Sequence, residues 1–316
     1  MTVQALLSRG DGSDEVLAID GTPLDIDDDE LVWVDLIGTG EDELAAVGAA
    51  LELADDAVAS LRDDIGDPGA TVIDGAISVS VLSLEGADSR PVPMQILVGA
   101  GWIVTRHPEP IALLDDRRTR ITDQREVGLL SSVAFLASVL DWHVDSFFAA
   151  ADELESAVDH LDEAALRSDR DILPKLVEMR RRVARTRRVA SRHREVFAEL
   201  ARPDFLPNVD PDDARTLAQV TARQDRAVES ISHAREMLIG TFDVYMTRTA
   251  QRTNDIVRVL TWASVILLPA GVIAGIMGMN FKVPIFEEPA YFFAVIGFMV
   301  ALAAATLLVA RRRGWL

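Results

Sequence analysis

Cysteine is absent from this chain, which excludes disulfides, thiolate metal sites and cysteine nucleophiles and leaves the redox compartment open. Basic charge is scarce in its first part. Up to Leu130 there are 8 Lys and Arg against 27 Asp and Glu, and from Ser131 onward 23 against 24. The formal charge of −20 therefore belongs to one segment. A phosphate backbone needs a basic face, so nucleic acid is not expected as a partner. An acidic domain does attract cations, although any one of these carboxylates reads first as part of a solvated surface.

Other absences narrow the function further. There is no phosphate-binding glycine loop, no nucleophile elbow and no catalytic carboxylate pair, so an enzyme is not expected, nor an organic cofactor. His107, His143, His160, His193 and His233 include no pair at i, i+4 spacing, which argues against a zinc site. The start, Met1-Thr2-Val3-Gln4, lacks a basic segment followed by an apolar run. The expectation is no signal peptide and a cytoplasmic start.

What is present is concentrated near the end. Val259 to Phe281 is an uncharged run of 23 residues, about 35 Å as a helix and enough to cross a bilayer core of about 30 Å. Pro289 to Ala310 is a second run of 22 residues. A buried core helix explains one such run, but not two separated by so short a connection. Arg252 and Arg258 precede the first run, and Arg311, Arg312 and Arg313 follow the second. The connection holds Lys282, Glu287 and Glu288. Basic flanks stay inside, which places both termini in the cytoplasm and the short loop outside.

Upstream, Leu31 to Leu36, Ile77 to Leu84, Val92 to Val98 and Trp102 to Arg106 read as strands, the last two joined at Gly99-Ala100-Gly101. Glu41 to Leu53 and Asp55 to Asp64 read as helices. No strand signal follows Glu126. Helices are expected to about Ser168 and over Asp171 to Leu200, ended by Pro203 and Pro207. Asp210-Pro211 then opens a helix of roughly 65 residues, near 100 Å long, with no breaker before Pro269. The expected fold is an α+β membrane protein. It comprises an α/β domain over 1–125, antiparallel helices over 126–209 and a stalk over 210–258. A first span over 259–281, a loop over 282–289, a second span over 290–310 and a basic tail over 311–316 complete it.

Two spans cannot enclose a water path, so transport requires several copies around an axis. Alternating steps of four and three residues from Asp243 give Thr247, Ala250, Asn254, Val257, Thr261, Ser264, Leu268, Gly271, Gly275 and Gly278, the seam of a helix in a bundle. Before Asn280, the only hydroxyl side chains of the first span, Thr261 and Ser264, lie on it, with three glycines. Small and polar residues on one face also serve tight helix packing, but Asp243 and Asn254 carry the line onward and favour a pore. Val257 and Leu268, with Leu260 beside them, interrupt it as an apolar constriction able to gate by expelling water.

Gly278-Met279-Asn280-Phe281 closes the first of two terminal spans, and the chain ends Arg311-Arg312-Arg313-Gly314-Trp315-Leu316. In this arrangement the chain resembles the CorA family of magnesium transporters, over its whole length. Trp33-Val34-Asp35-Leu36 sits where that family has a similar first strand. The resemblance implies a homopentamer with a cytoplasmic funnel, a multi-pass protein of the inner (plasma) membrane. It implies Mg²⁺ as the transported ion, with Co²⁺ or Ni²⁺ able to share the path, and Mg²⁺ as the inhibitory ion inside. Asn280 then forms an amide ring at the outer mouth, above Gly278 and Met279. Asp243 and Asn254 match polar rings, Leu260 a gate, Pro269 a membrane proline, and Arg311, Arg312 and Arg313 a basic collar.

The chain departs from the family's pattern at Met277, where an aromatic is usual, at Gly271, where a hydroxyl is usual, and at Lys282, where acids come first. Asp63 and Asp64 fall near the expected inhibitory metal site, with Asp225 as the partner proposed. Two other readings stay open: a Zn²⁺ transporter of the ZntB-like branch, and a membrane-anchored scaffold without transport. The run Arg180, Arg181, Arg182, Arg185, Arg187 and Arg188 is expected to pair with acids on the preceding helix.

Overall fold

A computed structural model describes residues 2–9, 11, 13–62, 66–86, 88–116, 118, 130–167, 171–202, 204, 205, 209–279 and 289–312. Strands β1 (Thr2–Arg9), β2 (Asp14–Leu17), β3 (Glu30–Ile37), β4 (Gly69–Ile73), β5 (Ala76–Glu85), β6 (Arg90–Gly99) and β7 (Trp102–His107) form one sheet in the order β2-β1-β3-β7-β6-β5-β4. At its centre β3 and β7 run parallel, and the other neighbouring pairs are antiparallel. The helices are α1 (Glu41–Ala50), α2 (Asp55–Arg62), α3 (Ser132–Arg167), α4 (Ile172–Leu200), α5 (Pro211–Met277) and α6 (Pro289–Arg312). The chain divides into two compact units, Met1–Phe242 and Asp243–Leu316.

The first unit is layered. Val32, Val34 and Leu36 pack with Leu44, Val47, Ala57 and Leu61 of α1 and α2 on one face. On the other, the Trp33 ring lies 5.3 Å from Phe135 of α3, which meets Trp142 edge-on at 5.8 Å. A strand covered on both faces reads as an apolar run, and β3 is one: Leu31 through Leu36 are all buried. The Glu43 carboxylate accepts the Gly40 N–H at 3.0 Å where α1 begins. Gly101 turns β6 into β7 with φ of +75°, a left-handed conformation that glycine adopts without steric cost.

Within this unit α5 lays a heptad seam against α3 and α4. Leu217, Val220, Gln224, Ala227, Ile231, Ala234, Leu238 and Thr241 follow the alternating three-four spacing and are all buried. Gln224 Nε2 donates to the Ala190 carbonyl at 2.9 Å and Thr221 Oγ1 to the Phe197 carbonyl at 3.1 Å. Arg223 pairs with both Asp141 and Asp145 of α3, its guanidinium 5.5 Å from the centre of the Phe148 ring.

The second unit holds residues 243–277 of α5 together with α6. Both helices are long and apolar enough to cross a membrane. Their apolar side chains are uncovered by protein, Leu268 being 68% and Phe293 70% exposed. Helix α3 also meets the length and composition of a span, yet more than half of that stretch is buried. Its apolar face is spent on the sheet. Pro269 stands inside α5. Having no N–H, it leaves the Val265 carbonyl without its usual helical donor.

Four strands match their predicted ranges within two residues at each end. Three were not predicted. β2, Asp14-Glu15-Val16-Leu17, is an acidic edge strand, and β4 is a short edge strand with two exposed residues. β1 carries its buried residues consecutively, Ala5 through Ser8, so no alternation betrays it. Helix α1 ends at Ala50 rather than Leu53, and α2 ends at Arg62, with Asp63 and Asp64 outside the described residues.

Candidate functional site

The stripe from Asp243 to Gly278 lies on one continuous helix, so its register follows from helical geometry alone. The buried seam of residues 217–241, continued at the same spacing, runs through Tyr245 and Arg248. Asp243 and Thr247 begin a separate line. Asp243, Thr247, Ala250, Asn254, Val257, Thr261, Ser264, Leu268, Gly271, Gly275 and Gly278 are all exposed. So is Leu260. A Cβ built on Gly271 or Gly275 meets no atom within 4 Å, so neither glycine is required by packing inside this chain.

Two of the three hydroxyls of the stripe, those inside the apolar span, are already committed as donors. Thr261 Oγ1 donates to the Val257 carbonyl at 2.7 Å and Ser264 Oγ to the Leu260 carbonyl at 2.9 Å. With the hydroxyl hydrogen held along the helix, each oxygen turns its remaining lone pairs outward as an acceptor. Such an oxygen suits a cation or the hydrogens of the water around it. α5 closes with the Gly278 N–H donating to Ala274 at 2.9 Å and the Met279 N–H to Ile276 at 3.2 Å. Asn280 lies outside the described residues.

A groove of about 570 Å³ runs between α5 and α6, lined by Arg258, Trp262 and Val265 on one side and Ala305, Thr306 and Val309 on the other. Thr261 also lines it. Of the stripe, Thr261 alone touches this groove among its lining residues, so α6 sits beside the stripe rather than over it. Arg311 and Arg312 are exposed in the last turn of α6, where cations complement the helix dipole. Arg313 lies outside the described residues.

Asp225 Oδ1 accepts from Arg194 Nε at 2.8 Å, and the side chain is about half exposed. Among the described residues no group of three or more His, Cys, Asp or Glu is gathered around a common point. The arginine run also differs from expectation. Among the described residues, Arg182 is the one member of the run that meets an acid of the preceding helix, Glu153 at 2.8 Å.

Two buried clusters were not anticipated. The Asp35 carboxylate accepts from Thr105 Oγ1 at 2.6 Å, His107 Nε2 at 3.0 Å and Arg118 Nη1 at 3.0 Å. His107 Nδ1 is 2.6 Å from the Glu109 carbonyl. Both ring nitrogens face acceptors, the arrangement of an imidazolium. Burial pulls the His107 pKa down, but the Asp35 hydrogen bond and charge outweigh it, and the value is raised. The sequence signal was one acid in an otherwise apolar strand.

The second cluster joins β5 to α3 and α4. His193 Nε2 accepts the Leu82 N–H at 2.8 Å while Nδ1 lies 2.8 Å from the Val189 carbonyl. This is the pattern of a neutral ring, and burial lowers its pKa to about 4. His143, its ring centre 4.8 Å away, is pushed well down by burial and then by His193. Its Nδ1 is 2.9 Å from Ser83 Oγ.

Similar proteins carry the same architecture. A cobalt/magnesium transport protein CorA from Methanocaldococcus jannaschii is 21% identical over 306 residues, covering 93% of this chain and 94% of that one. A cobalt/magnesium transport protein CorA from Thermotoga maritima is 26% identical over 207 residues, 65% of this chain, and the match spans 59% of that protein's length. The complete structure of the M. jannaschii CorA magnesium transporter superposes with a TM-score of 0.83 at 20% identity, over 100% of both chains. The model of the family described as CorA-like Mg²⁺ transporter protein matches residues 28–312. That range takes in β3, the central sheet, the long helix and both apolar spans, and the chain belongs to this family.

Proposed function

We propose that copies of this chain assemble, as a homopentamer, around the stripe of α5 and conduct Mg²⁺ across the inner membrane. The observation that carries this reading is the stripe itself. It is polar and glycine-rich within an apolar span, the Thr261 and Ser264 oxygens are left as acceptors, and no part of its own chain packs on Gly271 or Gly275. A single chain gives it no occupant, and water between symmetric copies does.

The chemistry follows from the ion. Mg²⁺ sheds water reluctantly and keeps an octahedral shell. An amide at Asn280, above Gly278 and Met279, receives hydrated Mg²⁺ without the grip of a carboxylate. Ser264, Thr261, Asn254 and Asp243 then offer acceptors to the moving shell. Val257, Leu260 and Leu268 form the apolar constriction that closes by dewetting. Arg311 and Arg312, with Arg313, collar the inner mouth, and both termini are cytoplasmic. Co²⁺ shares this path. Inhibition by internal Mg²⁺ acts through Asp63 and Asp64 with Asp225, which then exchanges Arg194 for a cation. Bound cations relieve repulsion between acidic faces and favour the closed state.

Uptake of Mg²⁺, Co²⁺ and Zn²⁺ into proteoliposomes, comparing the unaltered chain with Asn280→Ala, tests the reading. Mg²⁺ and Co²⁺ entry that falls at least about tenfold in the variant is expected, as for loss of a filter group. Entry of Zn²⁺ alone favours the ZntB-like reading. No entry of any ion withdraws transport.

A further inference from the structure

The arginine run left unexplained by the ion pathway leads to a second site. In the first unit, Arg187, Arg188, Arg192 and Glu195 of α4 face a groove of about 740 Å³ that is closed by Arg235 of α5 and by Asp67, just ahead of β4. Ser191 lies between the arginines. The volume is within the range of small-molecule sites, about 300–1,000 Å³.

Four arginines, Arg187, Arg188, Arg192 and Arg235, line this one groove. Several arginines of the chain meet carboxylates: Arg9 with Glu30, Arg62 with Glu41, Arg90 with Glu109, Arg182 with Glu153. In the groove Arg192 pairs with Asp67. Arg187, Arg188 and Arg235 have no carboxylate partner among the described residues. Nor can their own helices supply one. No Asp or Glu stands three or four residues before or after any of the three, the positions where helical neighbours meet. Four guanidiniums thus converge against two carboxylates in a protein of net charge −20. Like charges held together without a counter-ion cost free energy, and that cost is relieved by an anion.

The kind of anion follows from the lining. A guanidinium presents a planar fork that takes two oxygens at once. Several forks at one concavity match an anion with several oxygen pairs in series, which a single phosphate or carboxylate lacks. No aromatic ring lines the groove, so a base has nothing to stack on. We propose that this groove binds the polyphosphate chain of a small metabolite, read through its phosphates alone. Inorganic polyphosphate and the tail of a nucleoside triphosphate share that chemistry. This site is independent of the transport reading.

Binding calorimetry on the full chain in detergent micelles, at low salt, tests it with tripolyphosphate, ATP and monophosphate. Tripolyphosphate is expected to bind, ATP within about threefold of it because the base goes unread, and monophosphate at least about tenfold more weakly, as forks go unfilled. Arg187→Gln/Arg188→Gln should weaken tripolyphosphate at least about tenfold. Arg180→Gln/Arg181→Gln removes equal charge from the same helix away from the groove and should change it less than about twofold. Circular dichroism melts confirm that both variants fold.

Absence of binding at about 1 mM tripolyphosphate, or equal loss in both variants, overturns the site. ATP binding tightly while tripolyphosphate does not overturns phosphate-only reading. If the chain ignores tripolyphosphate and Arg187→Gln/Arg188→Gln breaks up the oligomer in light scattering, the groove holds an acidic face of another copy and the proposal fails.

Discussion

Helix α5 carries two seams of the same spacing with opposite fates. Between Leu217 and Thr241 the chain closes its own seam with α3 and α4, and every position is buried. Between Asp243 and Gly278 the line is exposed, and a side chain at Gly271 or Gly275 would meet nothing. Periodicity alone therefore states that a helix has a partner. Side-chain character differs between the two seams: Leu217, Val220, Ile231 and Leu238 anchor the covered seam, whereas Thr261, Ser264, Gly271 and Gly275 mark the open one.

The strongest way to break this contrast is to shorten one side chain on each seam. Ile231→Ala, at a fully buried position, should cost about 2–5 kcal/mol as a core cavity, seen as a lowered thermal midpoint of the full chain in detergent. Leu268→Ala, on the open line, should leave that midpoint within the range of a surface change, about 0.5 kcal/mol. Equal losses would mean that both stretches are packed alike.

Acid probes the closed region next. The folded pKa of His193, about 4, lies below the ordinary value near 6.5. Its contribution is fully present above about 6.5 and is lost as pH falls toward 4, worth on the order of 3 kcal/mol for a shift of this size. Midpoints measured from pH 7 to 4 should fall, and His193→Gln should flatten that slope. His107 works the other way: its raised pKa stabilises below the ordinary value, and that contribution is lost as pH rises through the folded one.

A smaller effect is expected at Arg223→Ala, which removes two ion pairs and the Phe148 stack from a partly exposed residue. About 1 kcal/mol is expected, given solvent screening. The smallest change in stability, within about 0.5 kcal/mol, is expected at Leu260→Ala. There the measurement that matters is flux: higher ion leak in proteoliposomes under inhibiting Mg²⁺ sharpens the contrast, and unchanged flux removes the gate from that position.

Much of this was legible in the chain. Uncharged runs gave the spans because a bilayer core demands both length and the absence of charge. The central strands showed because they are apolar on both faces. β2 and β4 did not, since edge strands need no buried face. The stripe was readable as a pattern, but its exposure was not, because spacing carries no information about what covers a helix. Asp35 was read only as part of a strand, since its partners Thr105, His107 and Arg118 come from far along the chain. The arginines were assigned to the preceding helix because it is nearest in sequence, whereas Arg187 and Arg188 share a groove with Arg235 of a later one.

Pro269 carries a last consequence for the long helix. Because the Val265 carbonyl has no amide to meet at that position, flexing α5 at this turn breaks one backbone hydrogen bond fewer than flexing it anywhere else along the apolar stretch. Within the apolar stretch a bend is therefore easiest at this turn. The turns that follow carry Gly271 and Gly275, two positions with no side chain to stiffen the helix.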